Sequence, residues 1–537
     1  MKRPLTYLFL LTGLFFYAQQ NNFSGGLYSV WQYYVADSVT EFAPPEGNWR
    51  SMNYFTLYYK KGNWELGTQL ESYLPAGLLG YNPALKKYMF SNYYARYRQE
   101  HWDVTAGFIF EQFGSGLIFR TWEDRQIGIN NGLVGVGIHY ELPGIKLGFI
   151  AGNPRTAMKI SDASVVAGDV RIDLETLIKK FPSIQLGFSA LSKFEKPQTE
   201  TLPATVQLFS AGTKIFLNNF DLVFEYVYKT PDALFFNGVL DDLVLFDGDA
   251  YLLNVGWSTK GFGTNISLRR AENIQLFAER KWSDNPYNTG ILNYVPSLTK
   301  QHDYLLTNLF VYSARTNISF ADRSVGEIGG QWDVFYFLKR KSLLGGKYGT
   351  RVAFNWSRWH GLKSEFIPDL HTYRRAFLEP GELYYQDINL EIKRKINKKF
   401  KTGFLVMIQD YNRQKIEGHG GMLHNFILVS DWQYRLKKRS SVRMEIEHLW
   451  NRQHEGNWLA GAVEYNWNGK WGVYTSDRFN YGGSKIHYYS AGISYNNQGN
   501  RLALSYGRER GGLICVGGVC RYVPPHTGFQ ISLSLNF

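Results

Sequence analysis

The sequence has little cysteine, little proline and, past its first residues, no long apolar run. Among 537 residues there are 2 Cys and 17 Pro. The mean hydropathy of −0.29 excludes a bundle of membrane helices, since each such helix needs about 20 apolar residues in succession. Charged residues make up 20%, which excludes a disordered acidic or basic polymer. No linker or internal repeat divides the chain, so one structural unit is expected.

Motifs of enzymes and metal sites are also missing. There is no G-x-S-x-G elbow, no H-E-x-x-H motif and no Walker loop, so we expect no enzymatic activity and no cofactor. The 11 His do not cluster at metal-ligand spacing. Lys and Arg are spread along the chain without the blocks typical of nucleic-acid binding, so no nucleic-acid partner is expected.

The one long apolar run stands at the beginning, in MKRPLTYLFLLTGLFFYAQQ. Lys2 and Arg3 precede an apolar stretch from Leu5 to Phe16, and Ala18 stands before Gln19. This pattern predicts a secretory signal peptide over residues 1–18. A helical anchor is the alternative, disfavoured because the stretch is short. We expect residues 19–537 to leave the cytoplasm as one domain.

Apolar and polar residues alternate in many segments of the remaining chain. In SVRMEIEHLW, Val442, Met444 and Ile446 alternate with Arg443 and Glu445. The same period of two, which is that of a β-strand, occurs in INLEIKRK (388–395), in WELGTQL and in the final GFQISLSLNF. Aromatic residues reach 17% and Gly is frequent, with 53 residues. This combination is typical of a transmembrane β-barrel, which has an apolar face toward lipid and a polar face toward the lumen.

Connections between the strand-like runs alternate between short and long. KKGN (60–63) and NGK (468–470) are examples of tight turns. Long stretches separate them at 36–49, 75–87, 111–131, 195–205, 230–249, 271–301 and 360–382. Outer-membrane barrels have this arrangement, with short turns in the periplasm. About 25 runs predict an even 24 to 26 strands, and parity requires one more crossing within 271–301, as a strand or as a segment descending through the lumen.

The fold prediction is therefore an all-β protein with a large antiparallel transmembrane β-barrel, its lumen partly filled by inserted loops. The most informative loop is EQFGSGLIFRTWEDRQIGINNG (111–132). Its candidate constriction residues are Arg120, Trp122, Glu123, Asp124 and Arg125. A loop folded back into a barrel narrows the pore, and charges of both signs on it select solutes. A compact outer cap, or a plug that closes the lumen, held by ion pairs such as Arg120–Glu123, is the alternative.

Three further groups of residues are candidates for specific roles. Cys515 and Cys520, separated by two glycines, predict a disulfide across the last exposed loop, with unpaired thiols as the alternative. The final segment resembles the signal by which the barrel assembly machinery recognises its clients, through Gly528, Ile531, Leu533, Leu535 and Phe537. An acidic stretch offers a weak calcium candidate in Asp241, Asp242, Asp247 and Asp249. Its order does not fit the calcium-loop signature, so no metal site is predicted.

The net charge is +13, or +11 once Lys2 and Arg3 are left out. Two interpretations stay open: short basic turns near anionic lipid, and a lumen biased toward anions.

Several stretches together resemble a Bacteroidetes-type family of predicted outer-membrane β-barrel proteins of unknown function. They are EQFGSGLIFRTWEDRQIG, YVPSLTKQHDY (294–304), LLGGKYGT (343–350) and CVGGVCRYVPP (515–525). The resemblance implies the barrel and an outer-membrane location in a Gram-negative bacterium, and it implies no activity.

Two functions are compatible with these observations. The first is a porin-like channel for small solutes, anions among them, across the outer membrane. The second is a closed-lumen barrel that serves as a structural or accessory subunit of an envelope secretion, adhesion or assembly complex. In either case the expected partners are outer-membrane lipid and lipopolysaccharide, the barrel assembly machinery during biogenesis, and, for the second, other envelope proteins.

Overall fold

The computed structural model describes residues 22–236, 239–453 and 456–537, so the predicted signal peptide lies outside the described residues. Twenty-four antiparallel strands form one sheet. The strands are β1 Phe23–Tyr34, β2 Trp49–Lys61, β3 Trp64–Tyr73, β4 Lys87–Gln99, β5 Trp102–Ile109, β6 Leu133–Leu142, β7 Ile145–Thr156, β8 Ser164–Asp173, β9 Ser183–Phe194, β10 Thr205–Leu217, β11 Phe220–Phe236, β12 Val239–Thr259, β13 Phe262–Glu272, β14 Glu327–Leu338, β15 Thr350–Ile367, β16 Thr372–Lys395, β17 Phe400–Asn412, β18 Met422–Lys437, β19 Ser440–Asn451, β20 Trp458–Trp467, β21 Trp471–Phe479, β22 His487–Asn497, β23 Asn500–Glu509 and β24 His526–Asn536.

The sheet closes on itself because β24 pairs with both β23 and β1. In the β1–β24 ladder Gly26 lies opposite Asn536 and Tyr34 lies opposite Gly528. Beyond the strand itself, the backbone N–H of Phe537 donates to the carbonyl of Gly25 at 3.0 Å. Closure leaves no free sheet edge, so every backbone group of the wall can be paired within lipid. The predicted barrel and its even strand number are confirmed, with 24 strands.

The two faces of the wall differ as the alternation predicts. On β19, Met444 and Ile446 point outward and are 40% and 46% exposed, whereas Glu445 and Glu447 point inward and are 3% and 1% exposed. Since consecutive side chains of a strand point to opposite faces, one strand presents apolar groups to lipid and polar groups to the lumen.

Several exposed tryptophans lie next to the short connections, and another, Trp49, lies at the opposite end of the wall. Those next to the short connections are Trp64, Trp102, Trp257, Trp467 and Trp471, each more than 40% exposed. Several contact an aromatic ring of the neighbouring strand at a tilted angle, with ring centroids 4.4 Å apart for Trp102 and Tyr140 and 4.8 Å apart for Trp471 and Tyr495. Such a girdle marks the level of a membrane interface, because an indole ring is partly apolar and partly polar.

The remaining elements are small. Short helices are α1 Leu174–Leu177 and α2 Arg413–Glu417, with 3-10 turns at Arg280–Asp284 and Pro368–Leu370. Two-residue strands pair as Gln112–Phe113 with Phe119–Arg120, Glu123–Asp124 with Ile129–Asn130, and Ile318–Ser319 with Ser324–Val325; Lys159–Ile160 pairs with the end of β7, and Gly512–Val516 pairs with Val519–Val523. Within the described residues no helix is long and apolar enough to span a bilayer.

Two predicted loops are strands instead. The stretches 230–249 and 360–382 belong to the hairpins β11–β12 and β15–β16, whose ladders continue past the wall through register shifts near Asp232 and His360. The shifts bend the hairpins, which share a small apolar core with the connection between β13 and β14; there the Phe246 ring stacks on the Tyr373 ring at 5.5 Å. Loop-like composition here marks irregular pairing rather than absence of a sheet.

The additional crossing predicted for 271–301 is not a strand. Of the two alternatives, the segment inside the lumen is correct: residues 273–326 form one long connection between β13 and β14, and no barrel strand occurs in it.

Candidate functional site

Four long connections turn into the barrel and fill much of its lumen. They are residues 74–86, 110–132, 273–326 and 510–525, which we call the lumen plug. Their buried apolar side chains pack against inward-facing residues of the wall in three clusters. The predicted partial filling of the lumen by inserted loops is thereby confirmed.

The longest plug segment enters the lumen at Asn273. This residue has a left-handed backbone (φ 44°), and its side-chain amide donates to the carbonyls of Phe246 and Asp247 at 3.1 Å each. Asparagine tolerates this conformation better than most residues and bonds to nearby backbone, which explains a sharp inward turn at this point.

Residues 298–310 hold this segment to the opposite wall. The backbone N–H groups of Leu305 and Leu306 donate to the two carboxylate oxygens of Glu447 at 2.6 and 2.8 Å. The indole N–H of Trp359 donates to the carbonyl of Leu298 at 3.1 Å, and the Gln409 amide donates to the carbonyl of Phe310 at 3.0 Å. The plug backbone lacks a strand partner here, so inward wall side chains satisfy its polar groups instead.

A buried ion pair lies where the segment returns to the wall. Arg269 on β13 and Glu327 at the start of β14 are both almost fully buried and form a salt bridge. The Arg269 guanidinium also donates to the carbonyl of Pro296 at 2.6 Å, and the N–H of Arg315 donates to Glu327 at 2.7 Å. Both charged groups thus bond to wall and plug together, which compensates their removal from water.

The connection 110–132 is joined to the long segment by backbone bonds. The N–H of Arg120 donates to the carbonyl of Leu292 at 2.8 Å, and the N–H of Tyr294 donates to the carbonyl of Gly116 at 2.9 Å. The Asn293 amide donates to the carbonyl of Leu117 at 2.9 Å. The two segments therefore form one body inside the barrel.

The structure places the five candidate constriction residues within this body. Arg120 stacks between two rings, 4.5 Å from the centroid of Trp122 and 4.0 Å from that of Tyr294. Its guanidinium is therefore held by aromatic faces, and not by the Arg120–Glu123 pair considered from the sequence. Asp124 accepts from the N–H of Gln126 at 2.8 Å and so fixes the local turn.

Arg125 and Glu123 instead reach the wall. The Arg125 guanidinium donates to the Gln69 side-chain oxygen at 2.8 Å and lies 4.4 Å from the centroid of the Tyr54 ring. Glu123 accepts from the Gln69 amide at 2.8 Å and lies 3.6 Å from Arg125. The loop is thus seated on β2 and β3, and the selection of solutes by these charges stays a prediction.

The disulfide between Cys515 and Cys520 is confirmed, but its surroundings differ from the prediction. The hairpin that carries it turns inward against the long plug segment, while Ile514 and Tyr522 on it stay exposed. The carbonyl of Gly518 accepts from the N–H of Ser297 at 2.8 Å, and the Asn288 amide donates to the carbonyl of Cys520 at 2.7 Å. A Cβ on Gly518 would stand 2.6 Å from the Ser297 carbonyl oxygen, so close packing requires glycine there.

Sequence reasoning missed the wall residues that receive the plug, although a signal for them was present. β17 carries Leu405 and Met407 inward while Val406 and Ile408 face outward, so both faces of this strand are apolar. An apolar inner face would be unfavourable in a water-filled lumen. Two-faced apolar strands in a predicted barrel therefore indicate where a plug packs.

Between the lumen plug and one sector of the wall lies a cavity of about 710 Å³. The wall side comes from β1, β2, β21, β23 and β24, and the plug side includes residues of all four segments. Its charged lining side chains are Asp303, Arg478, Glu509, Arg510 and Arg521. Arg478 and Glu509 pair at 2.8 Å. This cavity has polar and apolar lining in similar amounts and lies along the wall, as a side passage would.

The acidic residues considered for calcium are dispersed. Asp242 accepts from the hydroxyls of two threonines on the 195–204 connection, at 2.6 Å each, whereas Asp249 pairs with Arg270 on β13. Among the described residues, no three His, Cys, Asp or Glu side chains are placed to hold a metal ion.

Solved structures similar to this chain are outer-membrane barrels of several kinds. The P pilus usher translocation pore shares 10% identity over 96% of this chain and 99% of that chain, with a TM-score of 0.41. A mutant ferric enterobactin receptor from Pseudomonas aeruginosa shares 11% identity over 96% and 81%, with a TM-score of 0.44. A BenF-like porin from Pseudomonas fluorescens shares 8% identity over 96% and 97%, with a TM-score of 0.36. At these identities the similarity extends to the fold alone.

No curated protein matches the sequence. The match to a protein family, in contrast, extends over residues 1–537. The expected membership of a family without assigned function is confirmed at that level: the chain belongs to the Family of unknown function (DUF6029).

Proposed function

We propose that the protein is a channel for small solutes in the outer membrane of a Gram-negative bacterium, narrowed by the lumen plug to a passage along the wall. The observation that carries this proposal is the cavity of about 710 Å³, lined in part by charged side chains, between the plug and β1, β2, β21, β23 and β24. The apolar outer face and the tryptophan girdle support a location in a bilayer. The proposal includes no catalytic step.

The charges around the cavity favour anions. Arg521 donates to the carbonyls of Gln126 and Gly80, at 2.9 and 3.0 Å, and lies 4.1 Å from the centroid of the Tyr81 ring. Within the described residues it has no carboxylate partner, so its positive charge is not neutralised locally. Three of the five charged lining side chains are cations and two are carboxylates, Asp303 and Glu509, so the net field in the cavity is biased toward anionic solutes.

Lipid and assembly partners follow from the same proposal. The outward apolar residues of the wall would contact outer-membrane lipid and lipopolysaccharide. The barrel assembly machinery would recognise β24 through its apolar alternation and Phe537.

A second candidate function is favoured by the hydrogen bonds that fix the plug. The carboxylate of Glu447 and the Arg269–Glu327 pair hold the long segment at two separate points of the wall. A plug fixed in this way suits a closed barrel that acts as a structural or accessory subunit of an envelope complex.

Conductance in planar bilayers separates the two candidates. A channel should give discrete steps, and Arg521→Gln should reduce its anion preference because it removes the unneutralised charge. Arg374→Gln provides a matched control, since Arg374 is exposed on the β15–β16 hairpin outside the lumen. Silence at all voltages, both for the unmodified protein and after the plug is loosened as described in the Discussion, would refute the channel and favour the accessory role.

A further inference from the structure

A dense group of cations lines one sector of the barrel mouth at the end of the short connections. Three neighbouring turns, 396–399, 438–439 and 468–470, surround a cavity of about 360 Å³. The cations that line it, which we call the basic mouth, are Lys398, Lys399, Lys401, Arg435, Lys438, Arg439 and Lys470. The other lining residues are neutral, and all of them belong to the wall.

Part of the basic mouth faces the lumen rather than the membrane. On β17 Phe404 points outward, so Lys401 lies on the inner face; on β18 Tyr434 and Leu436 point outward, so Arg435 lies on the inner face. Lipid headgroups surround a barrel on its outside. They cannot neutralise the inner cations, and another anionic partner is needed for them.

The protein itself supplies no such partner among the described residues. With the residues that the structure describes, none of the seven cations forms an ion pair. The nearest inward carboxylates along the strands are Asp431 and Glu464, and Arg443 engages both, at 2.7 and 3.2 Å. Glu445 is the third carboxylate on Arg443, at 2.6 Å. Further into the lumen, the wall therefore pairs its cation with carboxylates. At the mouth, the described residues leave the seven cations without such pairing.

The shape of the basic mouth selects an extended ligand. Its three turns connect six consecutive strands, and neighbouring strands are about 4.8 Å apart, so the arc is roughly 25 Å long. An extended polypeptide covers that length with about seven residues. A small anion would contact only two or three of the cations at a time.

We propose that the basic mouth binds an acidic, extended polypeptide segment of a periplasmic partner. The periplasmic side follows from the short connections, which face the periplasm in outer-membrane barrels. The binding requires no conduction through the lumen. Clustered charge of one sign attracts the segment, and pairing with its carboxylates relieves the mutual repulsion of the cations.

Fluorescence anisotropy with the protein in nanodiscs of zwitterionic lipid tests this proposal. The probe is fluorescein-labelled octaglutamate, with octaglutamine, diglutamate and inorganic phosphate as competitors. We expect octaglutamate to compete at least 10-fold better than diglutamate or phosphate, octaglutamine not to compete, and affinity to fall at least 10-fold between 50 and 300 mM salt, at about the concentrations where screening becomes strong.

A triple variant, Lys399→Gln with Lys401→Gln and Arg435→Gln, should weaken binding of the probe at least 10-fold. The matched control changes three cations near other short connections of the same rim, Lys60→Gln with Lys61→Gln and Lys260→Gln, and should stay within about twofold. Circular dichroism checks that both variants keep the barrel.

Several results would overturn the proposal. They are absence of octaglutamate binding to the unmodified protein, equal competition by phosphate, which would indicate a small-anion site, and equal loss in the control variant. The competitor series does not depend on any variant, so it decides even if the triple variant fails to fold. A protein that is silent in bilayers, both unmodified and with its plug loosened, yet binds octaglutamate would refute the channel and leave this proposal intact.

Discussion

Removal of the Glu447 carboxylate should loosen the lumen plug without unfolding the barrel. Glu447 accepts the N–H groups of Leu305 and Leu306 at 2.6 and 2.8 Å, and all three groups lie inside the lumen. In Glu447→Ala the N–H of Leu306 loses its acceptor, while that of Leu305 keeps a longer bond to Glu445 at 3.3 Å. The wall around β19 keeps its ladder bonds, which involve the backbone alone.

The size of the effect follows from these partners. A buried N–H left without an acceptor costs about 1–3 kcal/mol, and the weakened bond at Leu305 adds a smaller amount. The free energy of local opening of the plug should fall by about 2–4 kcal/mol, which corresponds to roughly 30- to 1,000-fold faster exchange of the amide hydrogens.

Hydrogen exchange with mass spectrometry measures this in residues 298–312. The control is Glu464→Ala, because Glu464 is a wall carboxylate on the neighbouring strand that bonds to Arg443 and not to the plug. If the channel proposal is correct, Glu447→Ala should also raise conductance. Exchange in 298–312 that is unchanged in Glu447→Ala, or equally fast in the control, would refute the idea that this carboxylate holds the plug.

Three other perturbations have defined outcomes. Arg269→Leu leaves Glu327 buried without its salt-bridge partner and should destabilise the protein by about 3–5 kcal/mol, measured as a lower midpoint of thermal unfolding. The added change Glu327→Gln should restore part of the loss. No recovery would contradict the stabilising role of this ion pair. Hydrogen bonds from Arg508, at 2.6 and 2.9 Å, lower the pKa of Asp37 to about 2, below its value of about 4 in the unfolded chain. The ionised carboxylate therefore stabilises the fold above pH 4, and the free energy of unfolding should fall by roughly 1–2 kcal/mol between pH 4 and pH 2. Asp37→Asn should remove that pH dependence of the unfolding midpoint. Cys515→Ser with Cys520→Ser should lower the free energy of unfolding by about 2 kcal/mol, because the unfolded chain gains entropy without the disulfide. Proteolysis should increase in 510–525 while cleavage in 273–286 stays unchanged. Equal cleavage in both segments would contradict a local role of the disulfide.

The wall of the barrel could be predicted from the sequence because one physical constraint acts on every strand. Lipid on one side and polar surroundings on the other impose a period of two, as Met444 and Glu445 illustrate, and short turns rich in Asn, Gly and Lys mark one end. The disulfide was also predictable, since the chemistry of exported proteins pairs two nearby cysteines.

The lumen plug could be predicted only in outline because its residues obey no such period. Residues 305–312, LLTNLFVY, are as apolar as a strand that spans lipid, yet they pack inside the barrel. Their surroundings come from β17 to β19, about 100 to 140 residues further along the chain, and no local pattern specifies that contact. The same holds for Arg120: its sequence neighbours suggested Glu123, whereas the Tyr294 ring that it contacts comes from another segment.

The attachment of the lumen plug also constrains how the protein is made. Its four segments begin and end on strands spread from β3 to β24, and the last segment, 510–525, immediately precedes the strand that seals the cylinder against β1. Those two strands are about 500 residues apart in the chain, so their meeting carries the largest loop-closure cost and comes late. The segment 510–525 is covalently continuous with β24, so its packing inside the cylinder and the formation of that seam are coupled. Filling the cylinder is therefore a step of its biogenesis, and a protein that sealed without it would be left with its apolar inner wall in water.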